Sequence, residues 1–318
     1  MFNFLNQFFA TPNQLKKAGI LSMNRRNFAY ILKQNPRHLF PLVDDKLKTK
    51  KLAIKHNINV PDLYGVIEFQ HEVNSIYSII KDKDSFVIKP AHGSGGRGIM
   101  VIKIVNDQLF SASGKLISKA EIYKHITNIL SGLYSLGGQN DVAIIEECID
   151  FTDEFDKFSY QGVPDVRIIV YRGFPVMAMI RLSTKESDGR ANLHQGAVGV
   201  GIDLKTGKAI QAVMNDKIIT HHPDTNADLT KLYIPKWKEH LLLACKSYEM
   251  TNLQYIGSDI VLDKNKGAMM LELNARPGLA IQIANGAGLK KNLKIIDKLI
   301  KKNNYTAQER LEFSLKNL

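Results

Sequence analysis

The segment from Gly257 to Gly278 constrains this chain more than any other. Two apolar runs, Gly257 to Leu262 and Ala268 to Leu273, flank the polar stretch Asp263-Lys264-Asn265-Lys266-Gly267, the pattern of a β-hairpin. Side chains on a strand alternate between faces, so Leu271 and Leu273 enter a core while Glu272 and Asn274 share the other face, and Asp259 on the partner strand can join them. Two carboxylates and an amide, with no Cys or His among them, suit a hard cation such as Mg²⁺ that keeps its other positions for water and phosphate oxygens. A solvated hairpin face would use the same residue types. The run Asn274-Ala275-Arg276-Pro277-Gly278 that follows weighs against that plainer reading.

Upstream, Ser85 to Pro90 reads as a short buried strand carrying Lys89, followed at once by His92-Gly93-Ser94-Gly95-Gly96-Arg97-Gly98. Glycines packed this densely let backbone N–H groups approach an anion, and the strand from Ile99 to Ile104 returns antiparallel. This predicts a phosphate flap rather than a Walker A loop, because Gly-Lys-Ser/Thr is missing and a strand follows. A plain turn is the alternative; the strand-ending lysine and the downstream carboxylates favour phosphate plus metal. Asp141 to Ile149 reads as a buried strand, and Asp165 to Tyr171 with Val176 to Arg181 as a hairpin turning at Arg172 to Pro175. Asp165, Arg167 and Arg181 lie there among apolar neighbours, where charges need partners; rim salt bridges would be the simpler explanation. His194, in the polar loop Ala191 to Gly196, reads as a hydrogen-bonding residue rather than a metal ligand. His221 and His222 are adjacent on an extended chain, diverge, and are set aside.

The rest of the chain is mostly helical. The opening through Leu42 reads as helices broken at Asn35-Pro36 and Pro41, either packing elements or a lobe lending Arg25 or Arg26 to a substrate. A helix should start at Asp44-Asp45, others should cover Lys119 to Leu136 up to Gly137-Gly138 and Tyr233 to Glu249, and Lys290 to Leu318 should form a basic helix or pair. Between the second and third, Ala197 to Ile202 should form a hairpin turning at Asp203 to Gly207.

With 318 residues the chain can bury a large core in two or three lobes. Cys148 and Cys245 are far apart in apolar runs, which supports neither a disulfide framework nor a thiolate metal site and fits a reducing cytoplasm. The aromatic start Met1 to Phe9 has no basic region and does not read as a signal peptide, and no stretch reaches the ~18 to 20 apolar residues of a membrane span. The net charge of +12 calls for a polyanionic partner or simply a basic surface. Its lysines are not interleaved with exposed aromatics, which argues against nucleic acid; an acidic small substrate and ATP explain the same sign.

Taken in order, Asp45-Lys46 before a helix, Val87-Ile88-Lys89-Pro90, the glycine flap, Glu146-Glu147-Cys148-Ile149, Asp165-Val166-Arg167, Asp259 and Glu272-Leu273-Asn274-Ala275-Arg276-Pro277-Gly278 resemble the ATP-grasp superfamily over about Asp44 to Gly288. The branch it looks closest to is the alpha-L-glutamate ligase-like proteins. The resemblance implies an α+β ATP-grasp fold, two lobes holding ATP between antiparallel sheets: a helical N-terminal lobe 1–43, a small lobe 44–145 with the flap, and a large lobe 146–318. It further implies that Lys46 and Lys89 contact ATP phosphates, that Ser94, Gly95 and Gly96 close over them, and that Glu146, Glu147 and Ile149 form the adenine hinge. Asp165 or Asp153 would hold the ribose. Asp259, Glu272 and Asn274 would hold two Mg²⁺, with Mn²⁺ as a substitute, while Arg167, Arg181 and Arg276 would face the transferring phosphoryl group and the substrate carboxylate. Asn192 and His194 match a polar loop bordering the reacting centre. Unlike many members, the chain shows no Rossmann-like domain before Lys46. The implied activity is ATP-dependent carboxylate–amine ligation through an acyl phosphate, with an amino acid such as glutamate or a peptide as substrate; a kinase acting on a small molecule and a non-catalytic nucleotide-binding module are the rivals. Oligomeric state stays open.

Overall fold

The computed structural model describes residues 10–93, 95–299 and 304–318; the aromatic start and Ser94 lie outside the described residues. The chain divides into two compact units, Pro41–Asp150 and Met1–Phe40 with Phe151–Leu318.

The unit Pro41–Asp150 holds an antiparallel sheet in the order β1-β5-β2-β3-β4: β1 (Leu63–Ile67), β2 (Ser85–Pro90), β3 (Met100–Val105), β4 (Gln108–Ser111) and β5 (Ala143–Glu146). Alternation gives this sheet two different faces. Phe86 and Ile88 of β2 and Ala143 and Ile145 of β5 pack on Ile122, Ile126 and Ile129 of the helix Lys119–Leu130. That helix starts on a capping box, Ser118 and Glu121 each binding the other's backbone N–H, as its spacing of serine and glutamate requires. It stops at Leu130, short of the expected Leu136, because Gly132 takes a left-handed φ of +79°. On the opposite face Ile144 packs on Leu47 of the helix Lys46–Lys55, whose N-cap is Asp45.

The second unit holds an antiparallel sheet in the order β10-β9-β8-β7-β6-β11-β12: β6 (Asp165–Tyr171), β7 (Phe174–Leu182), β8 (Val198–Ile202), β9 (Ala209–Met214), β10 (Lys217–Ile219), β11 (Tyr255–Asp263) and β12 (Gly267–Asn274). β11 and β12 are the hairpin anticipated from the alternation, and the C-terminal run is a pair of helices, Lys290–Leu299 and Ala307–Asn317. The architecture is α+β with two antiparallel sheets, as the motifs implied.

The opening segment does not stand as a lobe of its own. Its helices are too short to enclose a core, so Leu21, Tyr30 and Ile31 bury themselves against Ile169, Tyr171 and Tyr255 of the large sheet. Asn35 fastens it there: its amide donates to the Tyr255 carbonyl at 2.7 Å, and its side-chain oxygen accepts from the Tyr255 N–H at 3.0 Å. The division at Asp150 likewise leaves Glu146, the last residue of β5, and residues 147–150, expected in the large lobe, with the smaller unit.

Candidate functional site

In the smaller unit, β2 and β5 pair so that Val87 faces Glu146 and Lys89 faces Ile144, which puts Lys89 and Glu146 on the face covered by the helix Lys46–Lys55. Lys89 Nζ lies 2.5 Å from Glu146 Oε1, and Lys50 Nζ lies 2.9 Å from Glu146 Oε2. All three residues are buried, at 5 to 6% exposure for the lysines and 3% for the glutamate. The side chain of Glu146 is therefore taken up by two lysines, which leaves only its backbone for the hinge role its motif implied. Sequence reading missed Lys50. One signal was present: it stands one helical turn after Lys46, on a helix whose buried side begins at Leu47. Glu147 and Ile149 follow β5, the Glu147 N–H donating to Asp62 O at 2.9 Å.

The glycine flap begins where β2 ends. Lys46 Nζ donates to Gly93 O at 2.6 Å, and His92 Nδ1 lies 2.8 Å from Asp141 Oδ1. At the far end the Gly98 carbonyl stands 3.0 Å from His125 Nε2, and burial holds His125 below the ordinary imidazole pKa, so it meets this carbonyl as a neutral donor. The loop is thus fixed at both ends. Gly95 and Gly96 between them have positive φ, and a Cβ added to either would touch nothing within 4 Å. At Gly98 a Cβ would come within 2.6 Å of the Tyr134 ring at a φ of +77°. Gly95→Ala should therefore cost only the left-handed strain, about 1 to 2 kcal/mol. Gly98→Ala must displace Tyr134 as well and should lower the melting temperature by several degrees more; equal melting curves for the two variants would show that the flap is not anchored at Gly98.

In the larger unit, four charged side chains form one network. Asp259 pairs across the strands with Arg167 on one side and Glu272 on the other, and Asp165 pairs with Arg181. The Arg167 guanidinium grips Asp259 with two hydrogen bonds, at 2.8 and 2.5 Å, and Arg181 grips Asp165 with two at 2.5 Å. Arg181 also donates to Asp259 Oδ2 at 2.8 Å, so Asp259 receives two guanidiniums and Asp165 one. Asp259 is buried, yet the two arginines hold its carboxyl below the usual range. Asp165 is also buried; desolvation, with the Asp259 charge beside it, outweighs Arg181 and pushes its carboxyl up to about 6. A raised carboxyl contributes stability below its unfolded value and loses it as pH rises through its folded value. The stability of the wild-type chain relative to Asp165→Asn should accordingly decline from about pH 4 to pH 6, and a flat difference in melting temperature across that window would contradict it.

The strand pairing sets Asp259 opposite Glu272, with Asn274 two residues further along β12 and opposite Gly257. Asp259, Glu272 and Asn274 form an all-oxygen set, and the arginines fix the orientation of Asp259 while using three of the roughly four lone-pair directions of its carboxylate. Asn274 Oδ1 accepts from the Arg276 N–H at 2.8 Å, which orders the turn after β12. This donor set fits a hard divalent cation. No group of three or more His, Cys, Asp or Glu side chains at metal-binding spacing occurs among the described residues, so any ion here would lean on the amide and on ligand oxygens. Arg276 stacks over Phe40, its guanidinium 4.7 Å from the ring centroid.

The other candidates are placed less centrally. Asn192 caps a short turn by accepting from the His194 N–H at 3.0 Å, and His194 lines a cavity of about 310 Å³ with Leu193, Val213, Asp216 and Ile283. Arg25 is exposed, whereas Arg26 donates to the Pro277 carbonyl at 2.7 Å and so binds the opening segment to the Arg276 turn. Asp153 is exposed and paired with Lys264 at 2.9 Å, while Asp165 already carries Arg181.

Two antiparallel sheets, one bearing a glycine-rich flap and a buried lysine and the other an Asp-Glu-Asn face beside paired arginines, mark this as an ATP-grasp protein. The chain belongs to the sugar-transfer associated ATP-grasp family, whose model matches residues 25–298. The superfamily is the one the motifs resembled; the family named by the match is described by sugar transfer, where the motifs looked closest to the alpha-L-glutamate ligase-like branch. No curated protein matches the chain in sequence. Similar solved structures include the D-cycloserine synthetase DcsG (14% identity over 83% of this chain and 73% of that one, TM-score 0.49). Others are D-alanine–D-alanine ligase from Bacillus anthracis complexed with ATP (12%, 89% and 71%, TM-score 0.47) and the ATP-grasp ligase PsnB complexed with a minimal precursor (12%, 84% and 63%, TM-score 0.44). The chain spans about three fifths of the PsnB chains it matches. At these values the likeness says nothing of activity or substrate. Among the described residues no helix is long and apolar enough to cross a membrane.

Proposed function

We propose that this protein is an ATP-dependent carboxylate–amine ligase that joins an amino acid such as glutamate, or a peptide, to an amine through an acyl phosphate. The observation that carries the reading is the position of Asp259, opposite Glu272 on one side and gripped by Arg167 and Arg181 on the other. Oxygen donors for a cation and fixed guanidiniums for anions on one sheet face are what attack of a carboxylate on a triphosphate requires. Mg²⁺ held by Asp259, Glu272 and Asn274 would neutralise the triphosphate. On the smaller unit, Lys89 and Lys46 are the side chains this reading assigns to nucleotide phosphate, with the backbone amides of Gly95 and Gly96 beside them as further donors. Arg276, after β12, holds the substrate carboxylate and then the tetrahedral oxyanion.

The arginine at 276 has a direct test. A lysine cannot reproduce the planar fork or the stack on Phe40, so Arg276→Lys should lose turnover about as severely as Arg276→Ala. Near-native turnover by the lysine variant would reduce Arg276 to a rim charge.

The family description brings in a carbohydrate context and so favours a second reading, a kinase that transfers the γ-phosphoryl group to a hydroxyl. Release of ADP, screened over amino acids, peptides and sugars with mass detection of products, separates the two. An amide with ADP and phosphate supports the ligase; a phosphate ester overturns it.

A further inference from the structure

The cluster of Lys50, Lys89 and Glu146 carries more positive than negative charge in a place with almost no water. Two ammonium groups lie within 2.9 Å of one carboxylate, and Lys50 also donates to the Pro61 carbonyl. A single buried Lys–Glu pair would be neutral, and the positive charge of Lys89 would be cancelled by Glu146. A second lysine changes the count. Glu146 shares its charge between both, and one ammonium's worth of positive charge is left uncompensated. Burying net charge costs several kcal/mol unless an anion completes the group. Among the described residues the next carboxylate to act on Lys50 is Asp62, which ranks last among its influences and lies on the exposed surface. Burial pushes Lys50 below its ordinary pKa, and the charge of Glu146 opposes this.

From this geometry we infer that Lys50 is a positioning residue for nucleotide phosphate: by engaging Glu146 from the side opposite Lys89, it leaves Lys89 with charge to offer an incoming anion. The inference rests on the phosphate role given to Lys89 above and adds what makes that role effective. It also explains why a glutamate at the end of β5 can sit against the phosphate-binding lysine without abolishing its attraction. Lys50 need not touch the nucleotide. Its effect passes through Glu146.

Counting charges gives the test. In Lys50→Met the remaining pair is neutral, and in Lys50→Met/Glu146→Gln the lone Lys89 regains its surplus. Calorimetry of the full chain with ATP and with adenosine should show Lys50→Met weakening ATP about tenfold or more, the scale of one charge-assisted contact, while adenosine changes less than about twofold. The double variant should recover ATP affinity to within about threefold of wild type, because Met and Gln occupy the volumes of the residues they replace. Should Lys50→Met fail to fold, Lys50→Gln makes the same charge change. ATP binding unchanged in the single variant would overturn the inference, as would a double variant weaker than the single, or ATP and adenosine weakened alike, since those outcomes describe a merely structural cluster. Failure of the wild-type chain to bind ATP at all would instead remove the nucleotide reading beneath it.

Discussion

Glu272→Gln should fold, melt within a few degrees of wild type without nucleotide, and lose at least about 100-fold in turnover, equivalent to about 2.7 kcal/mol. The reason lies in where the residue stands. Strand β12 is held by Met269, Met270 and Leu273, all buried, and by its pairing with β11, none of which depends on the charge at 272. Glutamine keeps the size and the hydrogen-bonding oxygen. What it removes is the negative charge that, with Asp259 opposite, attracts a divalent cation. The same variant should also lose the extra thermal stabilisation that Mg-ATP gives by binding the native state. Full Mg-dependent activity would reduce this carboxylate to one more polar group on a solvated face.

Arg181→Met should be the most damaging single change to stability, costing about 3 to 5 kcal/mol and on the order of 10 °C in melting temperature. Its guanidinium serves both Asp165 and Asp259, and its removal leaves Asp165 buried with no cation in bonding range among the described residues, although Asp259 keeps Arg167. Most of the loss comes from the stranded carboxylate rather than from the pair's own attraction. Arg181→Met/Asp165→Leu should therefore recover much of it, since an apolar pair of similar volume tolerates burial. Chemical denaturation of the single and double variants settles the point: a single variant within about 1 kcal/mol of wild type would make the network an ordinary surface one.

Much of the site was legible because strand alternation is a local property. Glu272 and Asn274, two apart on one strand, had to share a face whatever sheet the hairpin joined; Leu273 takes the buried face as expected, whereas Leu271, also expected in the core, is half-buried where the register between β11 and β12 shifts. The flap was readable for the same kind of reason: glycines at 95, 96 and 98 adopt positive φ, as their density suggested. Partner choice was not readable. Glu146 looked like a hinge residue from its place at a strand end, and nothing within a few positions of it announces Lys50, 96 residues earlier in the chain. Nor did the opening segment reveal that Tyr30 would close the core beside Tyr171, at a ring distance of 5.3 Å.

The sequence by itself determined the hairpin, the faces of its strands, the glycine flap and the order of motifs that identifies an ATP-grasp chain. Only the tertiary structure decided that β11 lies between β6 and β12, and with it that Asp259 meets Arg167 across 92 positions. The physical reason is that a charge in a strand specifies a need for a partner and not which partner: that choice falls to strand order, set by the burial of apolar faces far from the charges themselves.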